Sequence, residues 1–418
     1  MASSETATLL GRPGFARYFA TVAAARATGT MFNVAGVLLI LQRTHDLALA
    51  GIVVAAATLP GAITGPFLGG WLDVTSNRRR LLVLDRALTA LSLTAVLLLA
   101  GHAPNWTLPL ASLLYGLTTP LSAGAFSSVL PEVAGPELIG VANAFEAASF
   151  NAAFIVGPAL AGLLAAAAGP ATAVEVQLGL GIVIAALIAG DRTFELRPQH
   201  AEPRPERVMH AVGRGFAAIW RIGSLRRNTV VDCIYVLAWG TLYVSLPAWA
   251  VSVGAGAHAS GYMWAAISAG SMISGFALRH LGAGLAPRVV IGGYLLAMAA
   301  LAAVWPLVAG LAAALSLSFA TGIFDGPVLV GLITVRQRLA PAHLRAQIFT
   351  TVTSMHAAVV AAGAAGAGLF QKALGTDATL LAFAALLALA GAVSLLTESD
   401  GTRAASAERE QASAAARI

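Results

Sequence analysis

Five ionisable side chains, Arg26, Glu146, Asp232, Asp325 and His356, stand inside long apolar stretches of a 418-residue chain. A charge in hydrocarbon is costly, so such residues face a bundle interior, a partner or water. The chemistry open to them there is ion pairing, substrate binding or proton exchange. Asp325, followed by Gly326-Pro327, lies about ten residues from the inner end of its stretch, roughly 15 Å deep, and is the first candidate for exchanging protons. A static pairing with Arg26 is its alternative. Arg26 can hold an anionic substrate or pair with Asp232, Asp325 or Glu146. Glu146 and His356 are either further protonation sites or hydrogen-bonded contacts between helices. Asp232 lies nearer the interface, where capping competes with a cavity role.

These positions recur. A shift of 206 residues takes Arg26 to Asp232, Phe150 to His356, Asn33 to Trp239, Gly157 to Gly363 and Gly162 to Gly368. Duplicated membrane halves are the simplest cause, and carriers built from repeats hold substrate near the midplane between them. At about 100° per residue, Arg26, Gly29, Thr30 and Asn33 share one side of the first apolar segment, as Asp232, Tyr235, Trp239 and Tyr243 do on the seventh. Ser318, Thr321 and Asp325 form a stripe on the tenth, and the same shift takes them to Ser112, Tyr115 and Thr119 on the fourth. Polar and aromatic faces in matching registers suit a shared cavity. Its candidate lining is Arg26, Asn33, Tyr115, Thr119, Tyr235, Trp239, Tyr243 and Thr321, with lipid-facing aromatics as the alternative for any one ring.

The elements that must position these groups follow from composition. Hydrophobic residues make up 58% of the chain, charged residues 11%, and mean hydropathy is +0.80, far from a soluble balance. A spanning helix needs about 20 mostly apolar residues. Twelve such windows are present: 16–42, 47–72, 80–100, 106–129, 138–168, 171–190, 228–252, 259–281, 288–309, 311–335, 345–371 and 377–397. Barrel strands would be short and alternating, unlike these long apolar runs. The expected fold is an all-α membrane protein of two pseudo-symmetric six-helix bundles. Residues 1–190 form the first bundle, 191–227 a basic linker with an amphipathic helix near Val208–Trp220, 228–397 the second bundle, and 398–418 a disordered tail.

Apart from Arg26, Arg43 and Lys372, the Lys and Arg residues fall on one side of these spans, which the positive-inside rule makes cytoplasmic, with both termini there. The net charge of +6 then reports topology and anionic lipid, and no nucleic-acid partner is needed. The first apolar segment reads as a retained helix. Cys233 is the single cysteine, which excludes an intrachain disulfide and a cysteine-rich metal site. The sole lysine, Lys372 in Phe-Gln-Lys-Ala, stands outside any phosphate-binding loop, and no His-Glu-x-x-His or Gly-x-Ser-x-Gly pattern occurs. An ATPase of the P-loop type and a membrane-embedded enzyme are therefore disfavoured.

Between the second and third segments the chain reads Gly69-Gly-Trp-Leu-Asp73-Val-Thr-Ser-Asn-Arg78-Arg79-Arg80. This resembles the major facilitator superfamily, whose loop at this place reads G-x-x-x-D-[RK]-x-G-x-[RK]-[RK]. Val74 and Ser76 depart from it. The resemblance implies a charge latch of Gly69, Asp73, Arg78, Arg79 and Arg80 at the inner face, with Glu132 as a further partner. Leu-Pro131-Glu132 and Pro136-Glu-Leu-Ile-Gly-Val-Ala-Asn143 are similar to the macrolide- and siderophore-exporter-like branch. Gly157-Pro158-Ala-Leu-Ala-Gly162 resembles the G-P-x-x-G-G core associated with drug/proton antiporters. Small residues there allow close helix packing, with Gly363 and Gly368 as the matching surface, and packing alone competes with a role in export direction. The family's R-x-x-Q-G motif is absent from Leu108 to Val129.

Together these imply a monomeric, multi-pass inner-membrane carrier without cofactor or metal, exporting an amphiphilic small molecule or drug in exchange for protons by alternating access. Import by facilitated diffusion or proton symport is the alternative. A non-transporting receptor or scaffold is the alternative of another class.

Overall fold

The structure is a computed structural model that describes residues 2–74, 78–135, 137–195, 205–277, 286–341 and 344–396. Among them there is no strand. Apolar runs form helices because a helix satisfies every backbone donor and acceptor internally, the one open-ended solution that hydrocarbon permits. In chain order these are α1 (Ala2–Leu10), α2 (Phe15–Thr44), α3 (Leu47–Val74), α4 (Arg78–Leu99), α5 (Thr107–Ala134), α6 (Ile139–Ala168) and α7 (Pro170–Gly190). The second half continues with α8 (Pro205–Arg221), α9 (Gly223–Ser252), α10 (Ser260–Ala277), α11 (Pro287–Ala303), α12 (Leu311–Leu339) and α13 (Arg345–Leu396). Among the described residues, nine helical stretches are long and apolar enough to cross a membrane.

The last of these is two helices joined at a break. Within α13, Gly375 takes φ 84° and ψ −178°, a conformation L side chains rarely adopt, and it divides the helix into two arms where the sequence expected separate segments. With α2 to α7 and α9 to α12, the arms fit the twelve expected spans. Two differences are informative. The polar N-terminus forms α1, whose Leu9 is fully buried beside Phe15 and Tyr18 of α2 and Phe126 and Val129 of α5. The linker helix runs Pro205–Arg221, and α9 starts at Gly223, inside the stretch assigned to the linker.

Helix pairing repeats in the two halves. α2 packs on α6 and α3 on α5, and correspondingly α9 packs on the first arm of α13 and α10 on α12. The bundles meet where α3 crosses α13 and α6 crosses α10. Glycines fix these crossings. Gly157 of α6 abuts Ala27 and Thr30 of α2, while Gly162 lies on Gly261 of α10. In the other half, Gly363 abuts Leu237 and Gly240 of α9, while Gly368 lies on Leu47 and Ala48 of α3. This corrects the expected packing of the Gly157/Gly162 surface on that of Gly363/Gly368. Positions five apart differ by about 140° around a helix, so the two glycines of each helix serve different partners, one inside the bundle and one across the boundary.

At the end of the first bundle, Asp191 follows α7 and accepts from the Arg17 guanidinium at 2.8 Å and the Thr193 backbone N–H at 2.9 Å. Burial opposes its charge, but donation from Thr193 and Arg17 outweighs it and holds the carboxyl below the usual range.

Two outcomes follow. Gly322→Val, which drives a side chain into the Ile267 backbone, should lower stability by about 1–3 kcal/mol, whereas Gly179→Ala, with open space around it, should not; thermal unfolding followed by tryptophan fluorescence separates them, and equal shifts would contradict the crossing. Asp191 contributes stability above its unfolded-state pKa that is lost as pH falls through the depressed folded value. A pH series of melting temperatures should therefore fall more steeply in that acid window for wild type than for Asp191→Asn, and parallel curves would contradict it.

Candidate functional site

Five helices carry these intramembrane groups, and each group except Asp325 has an ionisable partner within its own bundle. In the first half, Arg26 of α2 donates through Nη2 to Glu146 Oε1 of α6 at 2.9 Å and through Nη1 to Ser149, with its guanidinium 3.6 Å from the centroid of the Phe150 ring. In the second half, Asp232 of α9 accepts from Arg336 of α12, and His356 Nε2 of α13 lies 2.8 Å from its Oδ2. Arg336 also faces the Phe349 ring at 5.3 Å. Of the open pairings, Arg26 takes Glu146.

The repeat reaches atomic contact here. Positions 26 and 150 touch as a cation on an aromatic ring; their counterparts 232 and 356 touch as a carboxylate on an imidazole. The same helix pair holds the same two positions together in each half, with the charge on the first member reversed. Glu146 and His356 have side chains 18% and 22% exposed, against 7% for Arg26 and 5% for Asp232. The Nε of Arg26 and of Arg336 is buried without a hydrogen-bond partner, leaving one donor direction open in each.

Asp325 is arranged differently. It is 5% exposed on α12, where the Tyr235 hydroxyl of α9 donates to Oδ1 and the Ser271 hydroxyl of α10 donates to Oδ2 at 2.7 Å. No Lys, Arg or His within ion-pairing distance is found among the described residues. From the end of α12 at Leu339 it is about 21 Å deep, in the middle of a hydrocarbon core.

Aromatic residues continue outward from it. Tyr235 meets Trp239 edge-on at 6.1 Å, Trp239 lies 5.8 Å from Trp264, and Tyr243 stacks on Trp264 at 5.1 Å. Asn33 of α2 approaches the Tyr243 hydroxyl, bringing the two bundles together at this level. Tyr115 donates to Gly29 O at 2.7 Å and receives Gln177 Nε2 at 3.3 Å, a tie within the first bundle. Thr321 is fully buried and donates to Leu317 O of its own helix.

The latch segment is described only in part. Gly69 and Asp73 lie on α3, but their side chains fall outside the described residues, as does that of Thr119. Arg78, 2% exposed, opens α4 within electrostatic reach of Glu132, with Arg79 and Arg80 following it. Pro158 lies inside α6 next to Gly157.

Sequence reasoning passed over Arg336, Ser271, Gln177 and the buried pair Asp85–Arg86 of α4, joined at 2.5 Å. Arg336 reads as one more basic residue at an inner helix end, and becomes buried because α12 runs to Leu339, beyond the expected end at 335. Asp85 and Arg86 did carry a signal, being charges inside a spanning segment.

A model of the Major Facilitator Superfamily matches residues 18–364. The multidrug efflux pump Tap of Mycobacterium tuberculosis is 29% identical over 396 residues, 92% of this chain and 93% of its own. An uncharacterized MFS-type transporter of Sinorhizobium fredii is also 29% identical, over 85% of this chain and 88% of its own. Among solved structures, a bacterial homologue of the human lysosomal transporter Spinster gives a TM-score of 0.73 at 13% identity, covering 94% of this chain and 96% of that one. The nucleoside transporter NupG gives 0.68 at 12% identity, covering 90% and 99%. Such low identities speak to the fold alone, and that fold is the two-bundle arrangement described above. With a family model covering most of its length, the chain belongs to the Major Facilitator Superfamily and is a multi-pass membrane transporter, not an enzyme.

Proposed function

We propose that the chain exports an amphiphilic small molecule in exchange for protons, by rocking one bundle against the other. The carrying observation is Asp325, a mid-membrane carboxylate held by two neutral hydroxyls from two other helices. As a carboxylate it accepts from both Tyr235 and Ser271. Once protonated, its own O–H needs an acceptor, so one of these contacts must turn round or break. Proton arrival thereby changes what ties α12 to α9 and α10. Because α10 also carries Gly261, on which Gly162 of α6 rests, a shift of α10 reaches the boundary between the bundles.

The remaining roles fit the same cycle. Glu146, Asp232 and His356 serve as secondary proton sites, with Glu146 and His356 the less buried members of their clusters. Asn33, Tyr235, Trp239 and Tyr243 supply an aromatic wall for an apolar substrate body, and the open Nε of Arg26 a polar contact. Asp73 with Arg78, Arg79, Arg80 and Glu132 latches the inner face in one state. The substrate class is supported by the multidrug efflux name of the relative Tap. The basic-residue asymmetry supports cytoplasmic termini and linker, and the carrier acts as a monomer.

Efflux of an amphiphilic dye driven by an imposed pH gradient in proteoliposomes should be abolished by Asp325→Asn, while gradient-independent exchange persists. Equal gradient-driven efflux by both proteins would remove Asp325 from coupling.

A further inference from the structure

On the face opposite the linker helix α8, the outer ends of both bundles line a half-open cavity of about 430 Å³, within the size range of small-molecule sites. Leu38 and Leu41 of α2 and His45, which caps that helix, line it from one bundle; His258, Gln371 and Thr376 line it from the other. It sits directly on the contacts that close this face. Gly368, one turn before Gln371, rests on Leu47 and Ala48, and Gly261, just after His258, rests on Gly162.

Its wall contains an unanswered polar group. Gln371 is 8% exposed, its Nε2 donates to the Thr376 hydroxyl at 2.8 Å, and its Oε1 is buried with no hydrogen-bond partner. A buried acceptor left unpaired costs free energy that a ligand donor recovers. The two imidazoles, His45 and His258, add nitrogen acceptors at the rim, and Leu38, Leu41 and Leu47 offer apolar surface to a hydrocarbon body.

We propose that this cavity binds amphiphilic primary amines, the ammonium donating to Gln371 Oε1 and the alkyl body lying along the leucines. Because each bundle supplies half of the wall, opening this face destroys the site. A bound amine therefore favours the state closed on this side, by its differential affinity for the two conformations. This last step rests on alternating access as proposed above; binding itself does not.

The test is octylammonium binding to the full chain in nanodiscs, with partition into empty nanodiscs subtracted. Wild type should bind saturably, Gln371→Leu about tenfold more weakly, and Gln371→Glu more tightly, since a carboxylate there attracts the ammonium. Octanoate, which has no donor at its head, should not compete. Equal octylammonium affinity in all three proteins, no saturable binding, or octanoate binding that depends on Gln371 would overturn the site. Octylammonium applied to this face should also slow dye efflux by wild type and not by Gln371→Leu. Lost binding refutes the cavity, whereas binding without inhibition refutes the closure step alone.

Discussion

The interaction on which the structure depends is the neutralisation of charge inside hydrocarbon. An ionisable side chain at a helix centre costs about 2.5–3.5 kcal/mol on insertion scales, so Arg26, Asp232 and Arg336 can stay only where a partner is already fixed. The pairing decides which helices must be neighbours. Arg26 with Glu146 joins α2 to α6; Asp232 with Arg336 and His356 joins α9 to α12 and α13. Removing one member of such a buried pair leaves a lone charge, typically worth about 3–5 kcal/mol. Asp325 differs in having only neutral donors, the Tyr235 and Ser271 hydroxyls with the Trp239 indole beside them, and no ion-pair partner among the described residues.

Glycine contacts act on the same helices from another side. Each of α6 and α13 spends one glycine inside its bundle and one across the boundary. The internal contact makes the bundle a rigid unit; the outer contact is backbone on backbone, with no side chain to interlock. Smooth surfaces of this kind can part without unpacking a core, which is what two rocking bundles require. In the proposed cycle, charge clusters near the middle serve coupling and glycine contacts toward one face serve closure.

Much of this was legible in the sequence. Apolar length located the spans, and the 206-residue shift linked Arg26 with Asp232 and Phe150 with His356 before any contact was visible. Helical periodicity placed Tyr235, Trp239 and Tyr243 on one side. What a one-dimensional pattern lacks is the choice of partner. Glu146, Asp232 and Asp325 were all within reach of Arg26 by depth, and only the α2–α6 crossing selects Glu146. Ser271 is a small polar residue on an apolar helix, unremarkable until α10 lies against α12. The glycine motif was correctly seen as a packing surface but assigned to the wrong partner, because its two glycines point about 140° apart.

Proton exchange through Asp325, as proposed, requires substrate binding to displace its proton. The most direct measurement is proton release on adding an amphiphilic substrate to the detergent-solubilised protein in weakly buffered solution. Wild type should release protons as substrate binds, and Asp325→Asn should bind substrate without releasing them. Undiminished release from the variant would contradict the account and move coupling to the Glu146 or Asp232–His356 clusters.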